Sequence, residues 1–143
     1  MAEEEVIRVL IADDFDILRE VINLYLELAP EIEVVGEAPD LDDALERTAA
    51  LQPDVILMND YLPPIDSAHA TTRFREAGFT NAILVISMYL EPDLIRRSLA
   101  SGANGFMHKD EIVNQLLNAV RHVHQGDTYL SPKAEEALSN AEE

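Results

Sequence analysis

The chain has 143 residues, 28 of them acidic and 10 basic, for a formal net charge of −18, and it contains no cysteine. That length fits one domain. The absence of cysteine excludes disulfides and thiolate metal sites and fits a cytoplasmic protein, and the acid excess argues against direct nucleic-acid binding, since neutralising phosphates takes lysine and arginine. No run of about 18 apolar residues is present, so no membrane span is expected, and the acidic start MAEEEV lacks the basic region of a signal peptide.

Apolar runs and amphipathic segments alternate along the chain. VIRVLIA (6–12) reads as a buried strand. Leu18, Val21, Ile22, Tyr25 and Leu28 then follow at helical spacing, and Pro30 ends that helix. IEVVGEA (32–38) is a second strand, and DLDDALERTAAL opens on acids, as a helix start favours. VILMN supplies a third strand, and a helix from Ser67 to Ala77 is closed by Gly78. AILVIS (82–87) is a fourth strand. The next helix has Pro92 in its first turn and Gly102 past its end. NGFM (104–107) is a short fifth strand, before a helix with Ile112, Leu116, Val120 and Val123 on one face. Residues 131–143, SPKAEEALSNAEE, are small, polar and acidic and read as a tail or the start of a linker, leaving 1–130 as the domain.

Five strands without a polar face need cover on both sides. The expected fold is α/β, a doubly wound parallel sheet of the (βα)5 kind. In such a sheet function gathers beyond the carboxyl ends of the strands. There the sequence places Asp13 and Asp14 after the first strand and Asn59 and Asp60 at the end of the third. It places Ser87 at the end of the fourth, and His108 and Lys109 after the fifth. Only two lysines occur in the chain, Lys109 and Lys133. A lone carboxylate after a strand is more often a helix cap than a ligand; the coincidence at all four strand ends is the signal. His122 and His124 are two apart, so they sit on different helix faces and make no metal pair.

The segments VLIADD, PDVILMNDYLPPID, ILVIS and GANGFMHKD resemble the signature segments of response-regulator receiver domains of two-component signalling, over residues 6–130. Within that family the likeness runs to the class with a LuxR-type helix-turn-helix output domain. The resemblance implies a flavodoxin-like fold with strand order 2-1-3-4-5, a module that regulates and is not an enzyme, and a histidine kinase as partner. It implies Mg2+ held by Asp13, Asp14, the residue at 59 and the backbone carbonyl of Tyr61. It further gives Ser87 and Lys109 as the groups that receive the phosphoryl oxygens, and Phe106 as the aromatic switch position. The face of the fourth helix, fifth strand and fifth helix is where the family dimerises or docks partners.

Asn59 departs from the pattern. It stands where the family has its phosphoacceptor aspartate, and an amide oxygen is a poor nucleophile. Phosphorylation in the usual way is therefore not expected, and Mg2+ binding is expected to be weak. The amide is either a natural departure or a substitution that blocks the acceptor. Three alternatives stand beside a blocked receiver: a phosphorylation-independent interaction module, an active receiver using Asp60, and a flavodoxin-like cofactor carrier. Alternation along the strand points Asp60 away from Asn59. The carrier needs a Gly/Ser-rich phosphate loop, where this chain has ADDFD.

Overall fold

A computed structural model describes residues 6–141; the acidic segment at the N-terminus lies outside the described residues. The elements are β1 (Ile7–Ala12), α1 (Asp16–Leu26), β2 (Ile32–Ala38), α2 (Leu41–Leu51), β3 (Val55–Asn59), the two-residue strands β4 (Tyr61–Leu62) and β5 (Ile65–Asp66), and α3 (Ser67–Glu76). They continue with β6 (Ala82–Ser87), α4 (Pro92–Ala100), β7 (Gly105–His108), a 3-10 turn (Lys109–Glu111), α5 (Ile112–His124), β8 (Tyr129–Leu130) and α6 (Pro132–Ala141). The sheet order is β2-β1-β3-β6-β7-β8, all parallel. Its first five strands have the expected 2-1-3-4-5 order.

Two apolar layers sandwich the sheet. Ile7, Val9, Ile11, Val55, Leu57, Leu84 and Ile86 pack beneath Leu18, Ile22 and Leu26 of α1 and Leu116, Val120 and Val123 of α5. Leu10, Ile56, Met58, Ile83, Val85 and Phe106 pack beneath α2, α3 and α4 through Leu41, Phe74 and Ile95. Side chains on both faces of the central strands are thus removed from water, each stabilising by about 1.5–3 kcal/mol. This explains the unbroken apolar runs. Helix ends follow the sequence signals: Asp40 accepts from the Asp43 N–H, Asp66 accepts from the His69 N–H, and Gly78 and Gly102 adopt φ of +94° and +115° after α3 and α4. The short β4–β5 hairpin turns over Pro63–Pro64, a cis peptide bond.

The reading of residues 131–143 as a tail is corrected. Pro132–Ala141 form α6, which packs on α4 and β7. Ser131 caps it through an Oγ contact to the Ala134 N–H of 3.3 Å, and Ala134 is fully buried, with Ala137 and Leu138 packed beside it. Ahead of the helix, β8 joins the sheet edge: the Tyr129 N–H donates to the Asn104 carbonyl (2.9 Å) and the Ser131 N–H to the Phe106 carbonyl (3.1 Å). The Tyr129 carbonyl then lies where a side chain on residue 105 would go, 2.8 Å from an ideal Cβ, and Gly105 is what admits it. The face of α4, β7 and α5, expected from the family to be open for partners, is therefore bordered by the chain's own β8 and α6.

Candidate functional site

β1, β3, β6 and β7 are neighbours, and their carboxyl ends open on one rim. Register decides which side chains meet there. Ala12 pairs with Met58, Asn59 with Ile86 and Ser87 with His108. Side chains alternate along each strand, and residues paired across a sheet share a face. Asn59, the last residue of β3, continues the row of Leu57 on the α1–α5 side; Asp13 and Lys109 follow just past the ends of β1 and β7, and the Lys109 charge acts on Asp13. Ser87 and His108, the last residues of β6 and β7, continue the rows of Val85 and Phe106 on the α2–α3–α4 side; Asp60 follows just past β3 and meets Ser87 there. At the rim the hydrogen bonds fall into two neighbouring groups, one around Asn59 and one around Ser87.

On the first side, Asp13 is only 2% exposed and its Oδ1 accepts the Phe15 N–H at 2.8 Å. Burial pushes its carboxyl above the ordinary value, and the neighbouring charge of Asp14 adds to this. The Phe15 N–H, Lys109 and Arg19 pull the other way without overcoming it. Asp14 is exposed. Asn59 is buried, and its Nδ2 donates to the Tyr61 carbonyl at 3.1 Å. Its Oδ1 is buried and accepts nothing.

These donors can be tested against a hard cation, which wants oxygen ligands. The two carboxylates of Asp13 and Asp14 supply charge, and the orphaned Oδ1 of Asn59 is an oxygen acceptor with a place for a partner. The Tyr61 carbonyl already holds the Asn59 amide, but a carbonyl oxygen has a second lone pair. The residues fit such an ion with two negative charges in place of three. Among the described residues no group of three or more His, Cys, Asp or Glu side chains is placed to hold a metal.

On the second side, Ser87 is fully buried and its hydroxyl donates to Asp60 Oδ2 at 2.8 Å. The Tyr89 N–H donates back to Ser87 Oγ at 3.0 Å. Phe106, at the expected switch position, is fully buried in the second core. The bond between Asp60 and Ser87 went unforeseen.

Other contacts also escaped the sequence reading. Arg19, on the first turn of α1, bonds the Asp13 carbonyl and pairs with Asp16 and with Glu37. Its signal was its position three residues after Asp16 on the helix that leaves the rim. The end of β5 and the start of α3 are tied to α4 by Asp66 with Arg97 (3.1 Å) and by the buried hydroxyls of Ser67 and Ser98 (2.9 Å). Burial opposes the Asp66 charge, but the His69 N–H, the His69 ring and Arg97 outweigh it and hold its carboxyl below the usual range. Of the two helix-end histidines, His122 lies against the Tyr129 ring at 5.7 Å and bonds the Asn118 carbonyl.

Residues 9–121 match the family description "Response regulator receiver domain". This chain belongs to that family. It is similar to the oxygen regulatory protein NreC of Staphylococcus carnosus, 34% identical over 93% of this chain and 62% of that protein. The transcriptional regulatory protein DegU of Brevibacillus brevis is 32% identical over 91% of this chain and 55% of its own length. Among solved structures, a LuxR-family two-component response regulator from Aurantimonas superposes with a TM-score of 0.91 at 25% identity, covering 96% of this chain and 99% of that one. The receiver domain of the response regulator NarL from Mycobacterium tuberculosis gives 0.73 at 36% identity, covering 82% and 98%. The receiver described here spans less than two thirds of the curated relatives it matches.

The chain is a two-component response-regulator receiver, a signalling module and not an enzyme. That membership displaces the flavodoxin-like carrier as an alternative. No helix among the described residues is long and apolar enough to cross a membrane.

Proposed function

We propose that this chain is a receiver with a blocked acceptor, working in the cytoplasm by contact with a histidine kinase or another signalling protein and regulating a transcriptional output attached to it or held by a partner. The single observation behind this is Asn59: an amide ends β3, the strand beside the one that Asp13 follows, and spends its N–H on the Tyr61 carbonyl. Lys109 is the cation for phosphoryl oxygens, and Asp13 and Asp14 would hold Mg2+, with Asn59 Oδ1 and the Tyr61 carbonyl as the remaining oxygen donors. When bound, the ion supplies positive charge to a phosphoryl group. Two acids attract it less than three, so binding is weaker than in a receiver with aspartate at 59. The relatives' names suggest transcriptional regulation; the acidic charge of this chain means DNA contact belongs to another domain or a partner.

Incubation with Mg2+ and acetyl phosphate tests the reading. The chain as it stands gains no phosphoryl mass. In Asn59→Asp, the new carboxylate oxygen attacks phosphorus, acetate leaves, and one base-labile acyl phosphate forms. Lys109→Ala on that background impairs the reaction. A phosphoryl group found on Asp60 of the unaltered chain would instead make it an active receiver with a shifted acceptor. The bond that Asp60 accepts from Ser87 argues against this, since one of its carboxylate oxygens is already engaged.

A further inference from the structure

We infer that Asp60 is an internal anion that takes the hydroxyl of Ser87, holding the β6–α4 connection as a phosphoryl group would, without one. The inference rests on the receiver reading only for the role it gives Ser87.

Ser87 has one hydroxyl proton and two acceptors near it, the Tyr89 carbonyl at 2.5 Å and Asp60 Oδ2 at 2.8 Å, the shorter contact being to the weaker, neutral acceptor. One proton serves one strong bond, and a carboxylate is the stronger acceptor. Ser87 is fully buried and Asp60 half-buried, so water competes poorly for either. The backbone enforces the meeting. Asn59 pairs with Ile86, which sets the next residues, Asp60 and Ser87, side by side on the same face. The Tyr89 N–H donates to the same Oγ, so the start of the loop leading into α4 is fixed through that oxygen.

Two further ties run from the same segment to α4. Asp66 pairs with Arg97, and Ser67 shares a buried hydrogen bond with Ser98. The loop after residue 59 thus grips the loop before α4 at one end and the body of α4 at the other. None of the three ties contains residue 59, a metal or a phosphoryl group. If Asn59 blocks the usual input, Asp60 supplies a fixed one. In a chain given aspartate at 59, it would compete with the phosphoryl group for Ser87.

A double-mutant cycle of Asp60→Ala and Ser87→Ala, read by urea unfolding of the full chain, tests the pair. The expected coupling is about tenfold in the unfolding constant, the size of a net hydrogen bond to a charged group. If Asp60→Ala does not fold, Asp60→Asn, of the same size but uncharged, takes its place. A second arm measures beryllofluoride binding with Mg2+ on the Asn59→Asp background. Removing Asp60 should tighten it about tenfold, and adding Ser87→Ala should abolish the gain. An additive cycle overturns the inference. So does a beryllofluoride affinity unchanged by loss of Asp60, or a gain that survives Ser87→Ala and so reflects only lost negative charge. If Asn59→Asp binds no beryllofluoride at all, the receiver reading fails at this site, and the cycle alone decides the Asp60–Ser87 pair.

Discussion

Putting aspartate at 59 should destabilise the metal-free protein. The Asn59 Nδ2 sits 3.1 Å from the Tyr61 carbonyl oxygen. Replacing that N–H by a carboxylate oxygen removes a hydrogen bond of about 1 kcal/mol net and leaves two acceptors facing each other. The second oxygen inherits the position of Oδ1, where no protein donor waits. Asp13 lies just past the adjacent strand end, about 5 Å away by strand spacing. At an effective dielectric near 20, like charges at that separation repel by roughly 3 kcal/mol. Lys109 offsets part of this, since it already acts on Asp13. The net cost should be about 2–4 kcal/mol at neutral pH without metal. With a urea slope of about 2 kcal/mol/M, the unfolding midpoint of Asn59→Asp falls by about 1–2 M. Saturating Mg2+ should shrink the gap, because the ion binds the folded three-acid site preferentially. Urea melts of both proteins, with chelator and with Mg2+, measure it. A metal-free Asn59→Asp as stable as the unaltered chain would refute the placement of residue 59 against Asp13.

Arg75 should matter well away from the rim: its guanidinium donates to the carbonyls of Phe79, Asn81 and Gly102 and to Asn104 Oδ1. Arg75→Ala leaves several of these acceptors without a donor and should cost about 2–3 kcal/mol in urea unfolding; a loss under about 0.5 kcal/mol would show that water replaces it freely. Ala134→Asp forces a carboxylate into a fully buried position under α6, so residues 129–141 should become protease-sensitive while the strands of the sheet keep their amide protection. Continued resistance in that segment would contradict its docking. Asp66 gives a pH test. Its folded carboxyl lies below the ordinary value, so its stabilisation is full above the unfolded pKa of about 3.9 and is lost as pH falls through the lowered folded value. The stability gap between the unaltered chain and Asp66→Asn should be constant from about pH 5 upward and close in acid; a gap independent of pH down to acid unfolding would rule out the charged cap.

The strands were legible because β1, β3 and β6 are buried on both faces and their sequences are apolar without alternation. Glycines and prolines marked the helix ends for a local steric reason, seen in the positive φ of Gly78 and Gly102. The placing of Asp13, Asn59 and Lys109 at the carboxyl ends of strands in one sheet followed from topology. Three things did not come through. Composition hid α6, although Ser131 and Pro132 form a helix start and Ala134, Ala137 and Leu138 keep helical spacing; a weakly apolar stripe of small residues is easily read as a solvated tail. The division of the rim into two groups needed the strand register, which no single strand contains. Arg19 and the Asp60–Ser87 bond are contacts between separate segments, and neither partner's chemistry names the other.

Gly105 bears on how much of the chain the domain comprises. The Tyr129 carbonyl and the tip of Leu84 each come within 2.8 Å of where its Cβ would be, and Val123 within 3.1 Å. The gap is smaller than one methyl group. A side chain there meets backbone on one side, and β8 is only two residues long, so the added strand is the part that gives way. Attachment of residues 129–141 is therefore decided from a position more than twenty residues upstream, without altering a single atom of α6. A residue larger than glycine at that point in β7 would press on the Tyr129 carbonyl, so β8 is the strand that a change there would disturb first.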